Sequence, residues 1–190
     1  MGKIVVFENV SLDGVTQDPT GEEGFNHTDW RAGLTPGDRE EWDKLILDDA
    51  LGAQCLLLGR RSYEFFAARY PSRSGEMADQ MNNLPKYVVS GTLAIPDWGD
   101  ATVLDGDLVD KVSTLKHTVG GEIRVYASSR LVHMLMEHDL VDELRLAVFP
   151  LVVGAGNRLY DQTGDPKPLR LVETRIVGDS LAYLTYQTVS

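Results

Sequence analysis

The 190 residues carry 18 Lys and Arg against 29 Asp and Glu, a net charge of −11. A chain this acidic repels nucleic acid and anionic membrane, so neither is expected as a partner, and an anionic ligand would need a local basic pocket. At 43% hydrophobic and 25% charged residues the composition excludes a disordered or fibrous protein; the simplest reading is one domain over residues 1–190, able to bury roughly 70% of its unfolded surface.

Residues 3–10 form a β-rich run that reads as the first strand, and Ser11-Leu12-Asp13-Gly14 turns the chain. The N-terminal apolar run is broken by Glu8 and Asn9, too soon for a signal peptide or a membrane span. A polar loop follows from Thr16 to about Pro36, long enough to be read as functional. Thr35-Pro36-Gly37-Asp38 reads as a helix start, with the helix over about 39–51. A second strand is expected at 54–58, helices at 61–69 and 74–82, a third strand at 85–90 and a short fourth at 101–104. Then come a helix at 107–118, a strand at 122–127, a helix at 129–138 and a strand at 143–150. Residues 169–177 and 181–189 read as a closing hairpin around Gly178-Asp179. Strands alternating with helices imply a mostly parallel central sheet flanked by helices on both faces, with an antiparallel C-terminal hairpin.

Cys55 is the single cysteine. It lies in the strand-like QCLLLG and reads as a small core hydrophobe in a reduced, cytoplasmic setting. His27, His117, His133 and His138 show no metal-ligand spacing, and no metal is expected. Neither GxGxxG nor GxxxxGK[ST] is present, which argues against a standard dinucleotide fold and a nucleotide kinase. No G-x-S-x-G marks a hydrolase.

In an open α/β sheet, ligands sit beyond the carboxyl ends of the strands, and four such ends draw notice. At Gly59-Arg60-Arg61-Ser62 a strand meets a helix start, where free N–H groups and two guanidinium forks suit phosphate; a glycine turn with two solvated arginines is the alternative. At Ser90-Gly91-Thr92 a hydroxyl can reach a phosphate or ribose, or simply shape a turn. Ala127-Ser128-Ser129-Arg130-Leu131 again joins a strand to a helix, where a serine serves either an anion or the helix cap. Asp13 reads as a turn former or as a group facing substrate. Trp30, in the long loop, reads as a ring that stacks on a planar substrate or as a loop anchor.

These same residues carry a resemblance. LLLGRRSYEFF, KYVVSGT and IRVYASSRLVHMLM resemble the three nucleotide-binding turns of dihydrofolate reductases. VSLDG and VDELRLAVFPLVVGAG resemble the reductase domain of the bifunctional deaminase–reductase of riboflavin biosynthesis. The resemblance spans nearly the whole chain, and five short motifs stand in the family's order. It implies a dihydrofolate-reductase-like α/β fold, NADPH as hydride donor, a small heterocyclic substrate and a homodimer. Gly59, Arg60, Arg61 and Ser62 would hold the pyrophosphate and 2′-phosphate side, with Ser90 helping at the 2′-phosphate. Ala127, Ser128, Ser129, Arg130 and Leu131 would flank the pyrophosphate, and the nicotinamide would lie near Val10 and Val15. Relatives carry Gly-Gly joined by a cis peptide where this chain has Ala127-Ser128; a non-proline cis bond costs roughly 3 kcal/mol, so it is not expected here. The family's acid sits on the helix before the GR strand, and a gap-free count places Asp43 near it. That helix is acidic throughout, so a solvated face is the alternative for Asp43. The deaminase motifs, H-x-E with P-C-x-x-C, are absent from the sequence. The chain therefore reads as a stand-alone reductase, with a non-catalytic nucleotide-binding or sensing domain as the alternative.

Overall fold

The computed structural model describes residues 1–25, 29–93, 95–160 and 165–189. His27 lies outside them. The first strand, β1 (Lys3–Ser11), is a run of residues buried on both faces, and so is β2 (Ala53–Gly59). Strands buried on both sides are apolar along their length because helices cover both faces of the sheet. Between them lie a 3-10 turn at Trp30–Gly33 and helix α1 (Pro36–Leu51).

Helix α1 begins three residues earlier than the spacing of apolar residues implies. Pro36 pre-sets the backbone of the first turn, and Thr35 and Asp38 close a capping box. Helices α2 (Arg60–Ala67) and α3 (Glu76–Asn83) lead to β3 (Lys86–Val89) and β4 (Ala101–Leu104). The chain continues through α4 (Leu108–Thr118), β5 (Glu122–Tyr126), α5 (Ser129–Glu137) and β6 (Glu143–Phe149). The hairpin β7 (Leu169–Val177) and β8 (Leu181–Thr188) ends it.

The eight strands form one sheet in the order β4-β3-β2-β5-β1-β6-β8-β7. Pairing is parallel from β4 through β6, whereas β8 runs antiparallel to both β6 and β7. The expected architecture is therefore the observed one. On one face Phe7, Trp42, Leu45, Leu58 and Phe149 form an aromatic-rich core. On the other, Ile4, Val6, Leu57, Val125 and Leu144 pack under α4 and α5, which contribute Val112, Leu115, Leu131 and Leu135.

The hairpin is tied back to α1. Asp38 accepts from the Asp179 N–H at 2.6 Å and from Ser180 Oγ at 2.8 Å, and a Cβ on Gly178 would collide with Asp38 Oδ1. Only glycine fits there, at φ +63. Those hydrogen bonds, Asp179 N–H first, lower the Asp38 carboxyl to about 2. Among the described residues no helix is long and apolar enough to cross a membrane.

Candidate nucleotide site

Two helix N-termini meet at the carboxyl ends of β2 and β5. Helix α2 starts directly after Gly59, and no side chain caps it. Helix α5 starts after Ser128, again with no side-chain cap. The serine that the sequence offers as a cap does something else. Its Oγ accepts from the Gly59 N–H at 3.1 Å and donates to the Tyr126 carbonyl at 3.1 Å, so Ser128 joins the two turns. The first-turn N–H groups of both helices stay open, a ready environment for anionic oxygens.

The second turn is tight for a reason the sequence hides. The expected strand over 122–127 stops at Tyr126, because Ala127 and Ser128 take left-handed conformations, φ +51 and +63. Two consecutive non-glycine residues there cost of order 1 kcal/mol or more each. The described chain contains no cis peptide bond. Ala127 and Arg130 are exposed, Ser129 is half-buried in the first turn of α5, and Leu131 is buried beside Gly59.

The arginines are differently placed. Arg60 is engaged, its Nε 2.7 Å from Glu64 and its Nη1 2.6 Å from Thr92 Oγ1. Arg61 is exposed and makes no hydrogen bond or ion pair among the described residues. Ser62 is half-buried in α2. Ser90 accepts from the N–H groups of Thr92 and Leu93, so its oxygen shapes the turn while its O–H proton is left to donate. The residues of all three strand ends thus converge along one edge, linked by Arg60–Thr92 and Gly59–Ser128. Val10 and Val15 are both buried, with Val15 bridged to Arg158, and provide apolar wall.

The two carboxylates singled out in the sequence are both committed elsewhere. Asp13 accepts from Ser11 Oγ at 2.7 Å, Val153 N–H at 3.0 Å and Gly154 N–H at 2.8 Å. The Ser11 hydroxyl, then the two backbone donors, lower its carboxyl to about 2. It is a clamp between the turn after β1 and the segment after β6, ionised and acceptor-only at neutral pH. Asp43 stands on the exposed side of α1 with Arg31 Nη2 3.1 Å away, the arrangement of a solvated face. Trp30 is 4% exposed and packs edge-on against Phe149, centroids 5.6 Å apart. That is the position of a loop anchor, with no open ring face.

Sequence reading passed over a different acid. Glu8, in the middle of β1, is buried, and burial alone pushes its carboxyl up to about 8. A lone acidic residue inside an otherwise apolar strand was the available signal. At the other end of the sheet, a cavity of about 370 Å³ opens between α1 and the β6-β8-β7 edge, lined by Asp49, Arg145, Glu173, Arg175 and Tyr183. It lies at the amino ends of the parallel strands, away from the nucleotide turns.

An eight-stranded sheet of this order, parallel through β6 and closed by an antiparallel hairpin, defines a doubly covered α/β domain with helix N-termini at the ends of β2 and β5. The model of the RibD C-terminal domain matches residues 2–183, and the chain belongs to that family. The uncharacterized protein YyaP of Bacillus subtilis (strain 168) is 26% identical over 166 residues, covering 81% of this chain and 88% of that protein. YwjB of the same organism is 25% identical, covering 94% of both. Among solved structures, a candidate riboflavin biosynthesis protein from Shewanella sp. PV-4 superposes with a TM-score of 0.73 at 20% identity, covering 99% of each chain. A pyrimidine reductase-like protein from Corynebacterium diphtheriae NCTC gives 0.63 at 10% identity, covering 99% of this chain and 92% of that one.

Proposed function

We propose that this protein is an NADPH-dependent reductase that passes hydride to a small pyrimidine- or pterin-like heterocycle, in chemistry resembling the phosphoribosylaminouracil reductase of riboflavin biosynthesis. The observation that carries this reading is the pair of uncapped helix N-termini joined by Ser128, with Arg60 and Arg61 beside them, in a chain of charge −11. Open N–H groups and the Arg61 guanidinium, which makes no hydrogen bond or ion pair among the described residues, fit a pyrophosphate and a 2′-phosphate. Ser90 retains a hydroxyl proton for a further oxygen. The bound nicotinamide would supply the hydride; the protein's own part is to hold phosphates, exclude water and position the ring against Val10 and Val15.

The test is a titration with NADPH and with NADH, followed by the fluorescence of the three tryptophans. Loss of two charge-assisted phosphate contacts is expected to weaken NADPH binding by roughly 100-fold in Arg60→Ala/Arg61→Ala. NADH, lacking the 2′-phosphate, is expected to lose less. If the wild type binds neither nucleotide, the cofactor assignment fails.

A second reading has a specific observation behind it. Asp13 and Asp43 are both committed, so neither is poised as a proton donor. A nucleotide-sensing domain without turnover would then bind NADPH and oxidise none of it with any pterin or pyrimidine offered.

We further propose a homodimer paired through β7, in a cytoplasmic setting that keeps Cys55 reduced; burial pushes that thiol up to about 12. Strand β7 is the longer of the two edge strands of the sheet, nine residues against four in β4, with Leu171 49% and Ile176 75% exposed. A long edge of this kind invites another strand. Light scattering should give twice the chain mass for wild type and a monomer for Leu171→Glu/Ile176→Lys; a monomeric wild type would refute the pairing.

A further inference from the structure

Glu8 and Tyr160 take no part in the phosphate edge or the Asp13 clamp. Glu8 is 6% exposed, on the same face of β1 as Ile4 and Val6. Among the described residues its Oε1 has no hydrogen-bond partner, and neither has the Tyr160 hydroxyl. The two groups are close enough to interact electrostatically. Tyr160 follows Leu159, which is buried and whose carbonyl accepts from His133 Nε2 on α5. The tyrosine is therefore carried on a pinned residue. Buried polar atoms are nearly always satisfied in native structures. Two buried polar atoms within electrostatic reach of each other, set among apolar side chains, point to a partner that the described residues do not supply.

Their place in the sheet narrows what that partner is. The last β1–β5 pair is Phe7↔Tyr126, so Glu8 stands level with the Ala127-Ser128 turn. Val10 lies two residues further along the same face of β1. An anion is excluded beside a carboxyl group buried among apolar side chains. Burial raises the Glu8 carboxyl to about 8, so at neutral pH it carries a proton. A neutral carboxylic acid presents one donor and one acceptor in a single plane. Its complement is a group with an acceptor and a donor side by side, on a flat apolar body: a primary carboxamide on a ring.

We propose that Glu8 and Tyr160 recognise the ring carboxamide of the nicotinamide, the Glu8 carboxyl accepting from the amide N–H and donating to the amide oxygen while Tyr160 satisfies a remaining position. This rests on the NADPH reading above. It assigns cofactor recognition to side chains within the core and makes the ring end of the ligand, as well as its phosphates, a determinant of affinity.

The probes are NADPH and its 3-acetylpyridine analogue, in which a methyl ketone replaces the carboxamide and the N–H donors are lost. Wild type is expected to prefer NADPH by roughly ten-fold, the cost of leaving a buried acceptor unpaired. Glu8→Gln, whose side chain also offers one donor and one acceptor, is expected to keep that preference. Glu8→Met, similar in shape and without polar atoms, is expected to reduce the ratio to about one. Tyr160→Phe should fall between. The ratio compares two ligands on one protein, so a purely structural effect of substitution leaves it unchanged. Equal binding of both nucleotides by wild type overturns the inference, as does a preference that survives Glu8→Met. If NADPH binds, and Arg60→Ala/Arg61→Ala abolishes that binding, the cofactor reading stands even when the ratio test fails. If wild type binds neither nucleotide, both fall together.

Discussion

Asp49→Asn is expected to destabilise the fold by about 3 kcal/mol or more, the ordinary cost of breaking a buried ion pair from one side. The Asp49 carboxylate is only 2% exposed at the end of α1, facing the amino ends of β5 and β6. Arg124 Nη1 lies 2.9 Å and Arg145 Nη1 2.8 Å from its Oδ1, and the Tyr126 hydroxyl donates to Oδ2 at 2.8 Å. Arg124 is wholly buried, and after the substitution Glu122, at 2.5 Å, is the one carboxylate paired with it among the described residues, beside the Asp49 carbonyl at 3.2 Å. Arg145 keeps Glu122 and Glu143, at 2.9 and 2.7 Å. The harm therefore falls on Arg124, whose Nε and Nη1 already lack a hydrogen-bond partner among the described residues. Because a buried charge costs more alone than paired, Asp49→Leu combined with Arg124→Met should be more stable than Asp49→Asn alone. Urea denaturation at constant m reads both effects. A loss under 1 kcal/mol for Asp49→Asn would mean that water reaches Arg124.

That network, rather than any single contact, fixes α1 against the sheet, and none of it is legible as a network in the sequence. Asp49 fits the spacing of the apolar face of α1, which places it inward but names no partner. Arg124 and Arg145 sit in strands whose alternation assigns a face and nothing more. The architecture itself is legible, because strands buried on both faces must be apolar throughout and amphipathic helices must cover them. The turns at the ends of β2, β3 and β5, where we propose a nucleotide site, are legible too, as short motifs at strand ends. What the sequence leaves open is what each polar atom touches. Ser128 has the residue type of a cap and acts as a tie between two turns. Alanine and serine rarely adopt positive φ, so nothing in Ala127-Ser128 announces a left-handed pair. Asp13 and Asp43 have the right type for an acid, and their partners, Val153 N–H and Arg31, come from distant or non-periodic segments. Glu8 is the reverse case. A strand-forming run tolerates one acidic residue without losing its pattern, and only burial shows that the residue is unusual.

The buried acid should also govern how stability depends on pH. Glu8 has an ordinary value of 4.5 and a folded value of about 8. Between these two, the folded state holds a proton that the unfolded state has released. Its contribution is therefore fully present below pH 4.5 and is lost as pH rises toward 8, with a slope of up to about 1.4 kcal/mol per pH unit. Over the whole window the loss approaches roughly 5 kcal/mol as an upper bound. Asp13 and Asp38 act in the opposite sense. Their carboxyls are lowered from 3.8 to about 2, so what they contribute is present above 3.8 and disappears as pH falls through 2. Stability of the ligand-free protein should consequently peak on the acid side of neutrality. Glu8→Gln keeps the shape and the neutral state and cannot ionise. Its melting temperature is expected to match wild type near pH 4.5 and to exceed it increasingly toward pH 8, in parallel thermal melts. Tyr160 is the one titratable group found to couple to Glu8 among the described residues, and burial holds it neutral throughout this range. The difference in slope between wild type and Glu8→Gln therefore reports Glu8, and equal slopes for the two would show that its carboxyl is ionised and hydrated in the folded state.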